Sequence, residues 1–590
     1  MQGELRVHNA ALETTGITAQ WLGGPVRFTA SKAGALGVVN ELEAVGRAQG
    51  EQVAGALRLP QAALSGAFDW RFLGRVPLDG KPDRLGRATF HAQTDFAGAA
   101  VNLPAPFDKP AAEARPLRAE LAISDEPPLS AGADAPQPPG TRLVTRLQWG
   151  TDSAAMEWVH RSAWRFTRGT VRLGGGEATL KDASRLWIEG HAPALDASGW
   201  IRLRLPESPV VSAHPMRIEE LLRGADVVAD HLLFMGYDFP SSSVQLSGGE
   251  EGWRVDVAGP AISGRVLVPF ELHAGRLQLD LDRLVANDAR GGGAASEVDP
   301  RELPAMRLAV RSFEFEHRQW GQLTADLLRT PDGLRLARAE VKAPSFNALG
   351  SGSWSMVEHG TRRDVESRVQ LQVESTDVAK TLTALALAPA IAARHGTAMI
   401  DVHWPGGPDA QFLARLGGRI GVQAEDGQVL GLEPGAGGRA LGLMSLGALQ
   451  RRLTLDFTDL TGKGLAFDRV AGDFELRDGD AFTKNLVLKG PAAEIGIVGR
   501  TGLRDRDYDQ TVKVTGNLGG PIVAAGTLAG GPALGAALLV FSKVFKEPLA
   551  GMSRGYYRIT GSWDAPAVQQ IGASEAELRE TAPPAEGVAK

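Results

Sequence analysis

Leu277-Gln278-Leu279-Asp280-Leu281-Asp282 alternates apolar and polar residues without a break. A β-strand turns successive side chains to opposite faces, so this run has one greasy face and one wet face. Ile201-Arg202-Leu203-Arg204-Leu205 reads the same way, as do Val369-Gln370-Leu371-Gln372-Val373, Leu453-Thr454-Leu455-Asp456-Phe457 and Val512-Lys513-Val514-Thr515. Such segments recur along almost the whole chain, and few helical stretches are available to cover them. The pattern predicts a mainly β protein: one elongated, twisted antiparallel sheet curled into a hydrophobic groove, with a few helices near the C-terminal end. Roughly 30 strands at about 4.8 Å spacing would span on the order of 100–150 Å, less what twist removes. Alternation assigns Ile201, Leu203, Leu205, Leu277, Leu279, Leu281, Val369, Leu371, Val373, Leu453, Leu455, Phe457, Val512 and Val514 to the apolar lining. Their polar neighbours are assigned to water. Aspartates at Leu279 and Leu371 are expected to block such a groove with the fold retained.

Composition narrows the function classes. The 590 residues are 43% hydrophobic, with a mean hydropathy of -0.11. Neither a disordered chain nor a polytopic membrane protein has these values. The formal net charge of -6 leaves no electrostatic footprint for nucleic acid. The chain has no cysteine, which excludes disulfides and thiolate chemistry. It opens directly in the strand-like Gly3-Glu4-Leu5-Arg6-Val7, with no basic-then-apolar targeting signal ahead of it.

Glycine and proline punctuate the sequence at hairpin spacing. Residues 125–140 and 291–304 read as linkers. Helix candidates are 216–222, a segment starting at Ser375-Thr376-Asp377 and carrying Leu382, Leu385 and Ile391, then 437–451 and 532–545. The uncharged run 523–542 approaches the length of a membrane span, but Gly526, Gly530, Gly531, Pro532 and Gly535 interrupt it. A helix packed on the sheet is the reading, with an interfacial membrane contact as the alternative. The Ala-, Glu- and Pro-rich tail, 573–590, is expected to fray.

No catalytic constellation stands out, and the reading assigns no catalytic residue, metal or cofactor. His395 and His403 stand eight residues apart without a paired zinc-ligand motif. Gly551-Met552-Ser553-Arg554-Gly555 matches a nucleophile elbow in letters only. The elbow needs a strand before the serine and a histidine after it, and no histidine follows Ser553. Asp505, Asp507 and Asp509 sit beside Arg504 and Arg506 on a hairpin tip, which reads as a solvated turn.

The order of several motifs resembles a known family. In the last third these are Trp404-Pro405-Gly406-Gly407-Pro408, Leu441-Gly442-Leu443-Met444-Ser445-Leu446 and Arg451-Arg452-Leu453-Thr454-Leu455-Asp456-Phe457. Gly464-Leu465-Ala466-Phe467-Asp468, Gly472-Asp473-Phe474, Gly490-Pro491-Ala492-Ala493, Tyr508-Asp509-Gln510 and Gly561-Ser562-Trp563-Asp564-Ala565-Pro566 complete it. Earlier segments agree: Asp95-Phe96-Ala97-Gly98, Leu103-Pro104-Ala105-Pro106-Phe107-Asp108-Lys109 and Asp299-Pro300-Arg301-Glu302-Leu303-Pro304. Together they resemble the AsmA-like envelope proteins of bacteria, in their YhdP branch.

The resemblance implies a central β-groove region over 1–374, an AsmA-like C-terminal domain over 375–572 and a tail over 573–590. It implies a periplasmic, bridge-like lipid-transfer protein, normally anchored in the inner membrane by an N-terminal helix that this chain lacks. Its partners would be phospholipids and the inner and outer membranes, without nucleic acid. The alternatives are a structural or assembly factor for outer-membrane proteins and an envelope enzyme on a β scaffold. A continuous open groove favours the conduit, a filled core the assembly factor, and a polar pocket the enzyme.

Overall fold

The computed structural model describes residues 2–8, 11–33, 39–57, 59, 61–77, 88–126, 140–202, 221–271, 275–287, 299–315, 317–359, 362–385, 387, 389, 391–407, 412–430, 433–434, 464–491, 493–516, 524–525, 554–563 and 566–581. The chain is mainly β, as the alternation predicts. It falls into two compact units, Met1–Leu272 and His273–Lys590.

In the first unit a ladder of long strands begins Ala11–Trp21, Gly24–Ala33, Val39–Gln49 and Leu64–Pro77. It continues through Ala88–Thr94, Leu117–Glu126, Gly140–Trp149, Asp152–His160 and Trp164–Leu173, then Arg185–Asp196, Leu222–Phe234, Tyr237–Gly248, Gly252–Ala258 and Ile262–Pro269. In the second unit the ladder runs Arg276–Ala286, Ala305–Phe315, Arg318–Thr330, Gly333–Lys342, Phe346–His359, Arg362–Ser375, Ile391–Pro405 and Gly417–Leu430. Gly464–Arg477, Asp480–Lys489, Ala493–Gly502, Asp507–Gly516, Arg554–Ser562 and Pro566–Ile571 complete it.

Nearly all neighbours pair antiparallel. Among the described residues three steps are parallel: Trp164–Leu173 with Arg185–Asp196, Arg185–Asp196 with Leu222–Phe234, and Arg276–Ala286 with Ala305–Phe315. A parallel step needs a connection that returns the chain to the starting end. Each of these three falls where the sequence is long between strands, at 174–184, 197–221 and 287–304. The last connection ends in a capped turn, where the Asp299 carboxylate accepts from Arg301 N at 2.9 Å and from its guanidinium. That is the physical role of Asp299-Pro300-Arg301 in the motif quoted above.

Among the described residues there are four short α-helices, two in each unit: α1 (Gly50–Ala56), α2 (Ala197–Arg202), α3 (Val378–Ala384) and α4 (Ala573–Thr581). Three sequence expectations change here. Ile201 lies in α2, not in a strand. The Asp196 carboxylate accepts from Gly199 N at 2.8 Å and caps a first turn, so the chain coils after Asp196. The helix begun at Asp377 stops at Ala384, and Ile391 opens the next strand. Pro389 offers no N–H and restricts the residue before it, so the helix does not propagate. Residues 573–581 form α4 with Ala576 fully buried, rather than fraying. The helix candidates 437–451 and 532–545 lie outside the described residues, as do 216–220 of the first candidate. Leu222 opens a strand.

A candidate apolar trough

Strand register shows what the alternation builds. In an antiparallel or parallel ladder, directly paired residues present their side chains on one face. In the second unit Leu279 pairs with Leu308, Leu308 with Ala325, Ala325 with Ala339 and Ala339 with Gly350. Gly350 pairs with Leu371, Leu371 with Ile400, Ile400 with Ile420 and Ile420 with Phe474. The row crosses nine strands and meets no polar side chain. A parallel row starts at Leu281 and passes Val310, Leu323, Val341, Ala348, Val373, Ala398 and Val422.

The opposite face is charged. Ser351, Gln370, Asp401, Arg419 and Glu475 form one of its rows. There the Asp401 carboxylate accepts from Arg368 at 3.0 Å and from Gln370 at 3.1 Å. These hydrogen bonds, the Arg368 one foremost, hold the Asp401 carboxyl below the usual carboxylate range. Arg276 and Asp326 pair at 3.2 Å on the same face.

Leu277, Leu279 and Leu281 are 1%, 6% and 2% exposed, while Gln278, Asp280 and Asp282 between them are exposed. Flat sheet faces do not bury side chains so completely. Further along, Leu308, Leu371, Ile400 and Ile420 are only half-buried, and so are Val369 and Val373. The apolar face is therefore partly open there, with Val369, Ile400 and Ile420 packed against the edge of a buried cluster. Two glycines on it, Gly350 and Gly352, leave room: a Cβ on Gly350 would stand 2.3 Å from Leu371 Cδ2.

Toward the C-terminus the face fills. Val512 and Val514, 1% and 3% exposed, belong to a packed cluster with Phe467, Ile495, Ile497, Tyr557 and Ile559. At its border Gln510 donates to Thr501 Oγ1 at 2.7 Å, and the Trp563 indole donates to the Asp507 carbonyl at 3.2 Å. Asp507 and Asp509, read as a solvated turn, are paired with Arg500 at 2.5 Å and with Arg558 at 3.3 Å.

The first unit carries a row of its own. Ile17, Phe28, Ala44, Phe72 and Ala92 are paired in sequence, followed by Ala119, Leu147 and Ala154. It continues through Val171, Ile188, Ala225, Leu246, Val255 and Val266. Rings stack along it, with Phe72 and Phe90 centred 5.6 Å apart. Sequence reading named none of these positions. The signal was present in Phe68-Asp69-Trp70-Arg71-Phe72, which alternates as cleanly as the Leu277 run.

Of the residues assigned to the lining, the structure places Leu277, Leu279, Leu281, Val369, Leu371 and Val373 on one continuous face. Val512 and Val514 lie in the packed cluster. Ile201 is helical. Leu203, Leu205, Leu453, Leu455 and Phe457 lie outside the described residues, as does Ser553. Among the described residues no group of three His, Asp or Glu could hold a metal, and no helix is long and apolar enough to cross a membrane.

Fold and face together define a class: a β-ladder protein whose apolar face, among the described residues, is left partly open. The YhdP protein family matches residues 1–568, and the chain belongs to that family. It is 23% identical over 601 residues to the intermembrane phospholipid transporter YhdP of Escherichia coli (strain K12), an alignment covering 97% of this chain. The chain spans 44% of the length of that relative. No solved structure matches.

Proposed function

We propose that this chain is part of a conduit along which phospholipid moves between two membranes, with acyl chains against the apolar rows and headgroups in water. The observation that carries the reading is the unbroken apolar row from Leu279 to Phe474, half-buried at Leu308, Leu371, Ile400 and Ile420. The printed function of the E. coli relative supports it. So does the energetics. Each CH₂ exposed to water costs about 0.8 kcal/mol, so a two-chain lipid crossing an aqueous gap faces on the order of 20 kcal/mol unshielded. A continuous apolar trough lowers that barrier without a catalytic group, and no enzymatic activity enters the proposal. A conduit of this kind works in the space between inner and outer membranes, with phospholipid and the two membranes as partners. Membrane anchoring and the functional division at 374/375 belong to the proposal.

The lining is proposed to centre on Val369, Leu371 and Val373 with Leu277, Leu279 and Leu281. A compact photoreactive residue at Leu371 is expected to capture phospholipid from vesicles, while the same residue at Gln370 stays unlabelled. Equal labelling at both positions would end the proposal.

A further inference from the structure

The segment Leu103-Pro104-Ala105-Pro106-Phe107-Asp108-Lys109 does not belong to the ladder. It leaves Ala99–Val101, crosses the apolar face of the first unit and returns to Leu117–Glu126. Its base is fastened. Lys109 is 2% exposed, and its ammonium donates to three carbonyls: Ala99 at 2.6 Å, Pro110 at 3.0 Å and Glu113 at 2.6 Å. The backbones of Val101 and Lys109 exchange hydrogen bonds at 2.8 and 2.9 Å, and Arg115 N donates to the Asp95 carbonyl at 2.8 Å.

The tip is held differently. The Ala105 carbonyl accepts from the Trp200 indole at 2.8 Å and from Asp196 N at 3.2 Å. The Phe107 ring lies 6.2 Å from Trp149 and 5.9 Å from Trp200. Beneath it are Leu173, Ala192 and Val227 with Ile188, on three neighbouring strands of the trough face. Where the second unit leaves its central rows half-buried, this part of the first carries the loop's Phe107 ring packed on it beside Trp149 and Trp200.

We infer that this loop is a strap over the conduit, and that Phe107 occupies a seat an acyl chain takes when lipid passes. The inference rests on the conduit reading. Chemistry favours exchange over simple opening: a hydrocarbon chain offers Leu173 and Val227 the same apolar contact as the phenyl ring, so the seat is never exposed to water. The Lys109 anchor keeps the base in place while the tip moves.

The absence of cysteine allows a reversible lock. A Cβ at Gly199 would stand 2.9 Å from Pro104 Cβ and 2.3 Å from Asp196 Oδ2, so Pro104→Cys with Gly199→Cys reaches disulfide geometry once the Asp196 carboxylate turns aside and the two Cβ atoms separate by about 1 Å. A diazirine-bearing aliphatic residue at Ile188 reports lipid under the strap, and one at Leu371 reports lipid elsewhere on the chain. Both are exposed to vesicles of phosphatidylethanolamine and phosphatidylglycerol. Oxidation is expected to cut Ile188 labelling roughly tenfold and reduction to restore it, with Leu371 labelled throughout. Phe107→Ala, in the chain without the added cysteines, is expected to raise Ile188 labelling. Equal labelling of Ile188 in both redox states overturns the strap. So does an Ile188 that stays dark in every variant while Leu371 labels, since Phe107 is then a fixed seal. If Leu371 itself captures no lipid, the conduit reading fails and the strap falls with it.

Discussion

Single residues show how each face is managed. Glu157 is 7% exposed and accepts from Arg142 Nε at 2.7 Å, Arg168 Nε at 3.3 Å and Thr167 Oγ1 at 3.1 Å. Burial pushes its carboxyl up, but the hydrogen bonds from Arg168 and Arg142 outweigh it, and the net shift is downward. A lowered folded-state value means that the unfolded chain binds the proton more readily. Glu157 therefore contributes stability above the ordinary glutamate range, and that contribution is lost as acid takes the pH through its lowered value. Glu157→Gln should cost about 2 kcal/mol at neutral pH and remove this part of the acid sensitivity. Amide hydrogen exchange in Asp152–His160 and Trp164–Leu173, followed from neutral to acid pH, reads both effects. A variant as protected as the parent at neutral pH would contradict the assignment. On the apolar face, Gly350→Leu adds bulk where a Cβ would stand 2.3 Å from Leu371 Cδ2. Leu371 can turn aside on a half-open face, while the Gln370 carbonyl oxygen, 2.9 Å from the same Cβ position, needs a small backbone shift, so the fold should survive at a cost of about 1–3 kcal/mol while the row narrows. Retained circular dichroism with reduced lipid capture at Ile400 is the expected pair of results.

Elements are bounded by polar groups that the strand period does not advertise. Helix α3 starts at Asp377, whose side chain accepts from Lys380 N at 3.1 Å. Its Thr381 hydroxyl is buried among Ser345 O at 3.0 Å, Ser345 Oγ at 3.1 Å and Ser375 Oγ at 2.8 Å. Asp377→Ala should cost about 1 kcal/mol through the lost cap. Thr381→Val should cost about 1–2 kcal/mol, because the hydroxyls and carbonyl it served stay buried without it. Faster exchange confined to Val378–Ala384 and its neighbours would distinguish these local effects from global loss; unchanged protection would refute them. Ser375-Thr376-Asp377 was legible as a helix start because capping is local. The end at Ala384 was not, since the apolar spacing of Leu382, Leu385 and Ile391 continues past it. Helix α2 was missed because Ile201-Arg202-Leu203 keeps strand period, and the deciding cap, Asp196, lies five residues upstream of Ile201.

At the scale of the whole molecule, an apolar row is only as open as what lies across it. Leu279 and Leu371 share a row, yet Leu279 is 6% exposed and Leu371 half-buried. The sequence expectation treated them alike. An aspartate at Leu279 places an unpaired carboxylate in a closed region and should destabilise by roughly 3 kcal/mol or more. Leu371→Asp with Ile400→Asp charges the open region instead. That pair should fold, as circular dichroism would show, and, under the proposed conduit, should abolish lipid transfer between donor and acceptor vesicles. Normal transfer by the folded double variant would remove the row from the path.

The sequence by itself determined the strand content, the two-faced strands, the hairpin punctuation and the family motifs. All of these are local: side-chain period two, turn residues and caps act within a few positions. It also grouped Leu277–Leu281 and Val369–Val373 on what the strand register makes one face. Only the tertiary structure decided which apolar stretches are open, which are filled as at Val512 and Val514, and which are strapped as at Ile188. It also decided the three parallel steps and joined Phe28, Phe72 and Leu147 into one row. Burial depends on what curls back or crosses over a face from tens or hundreds of residues away, and a period of two carries no record of that.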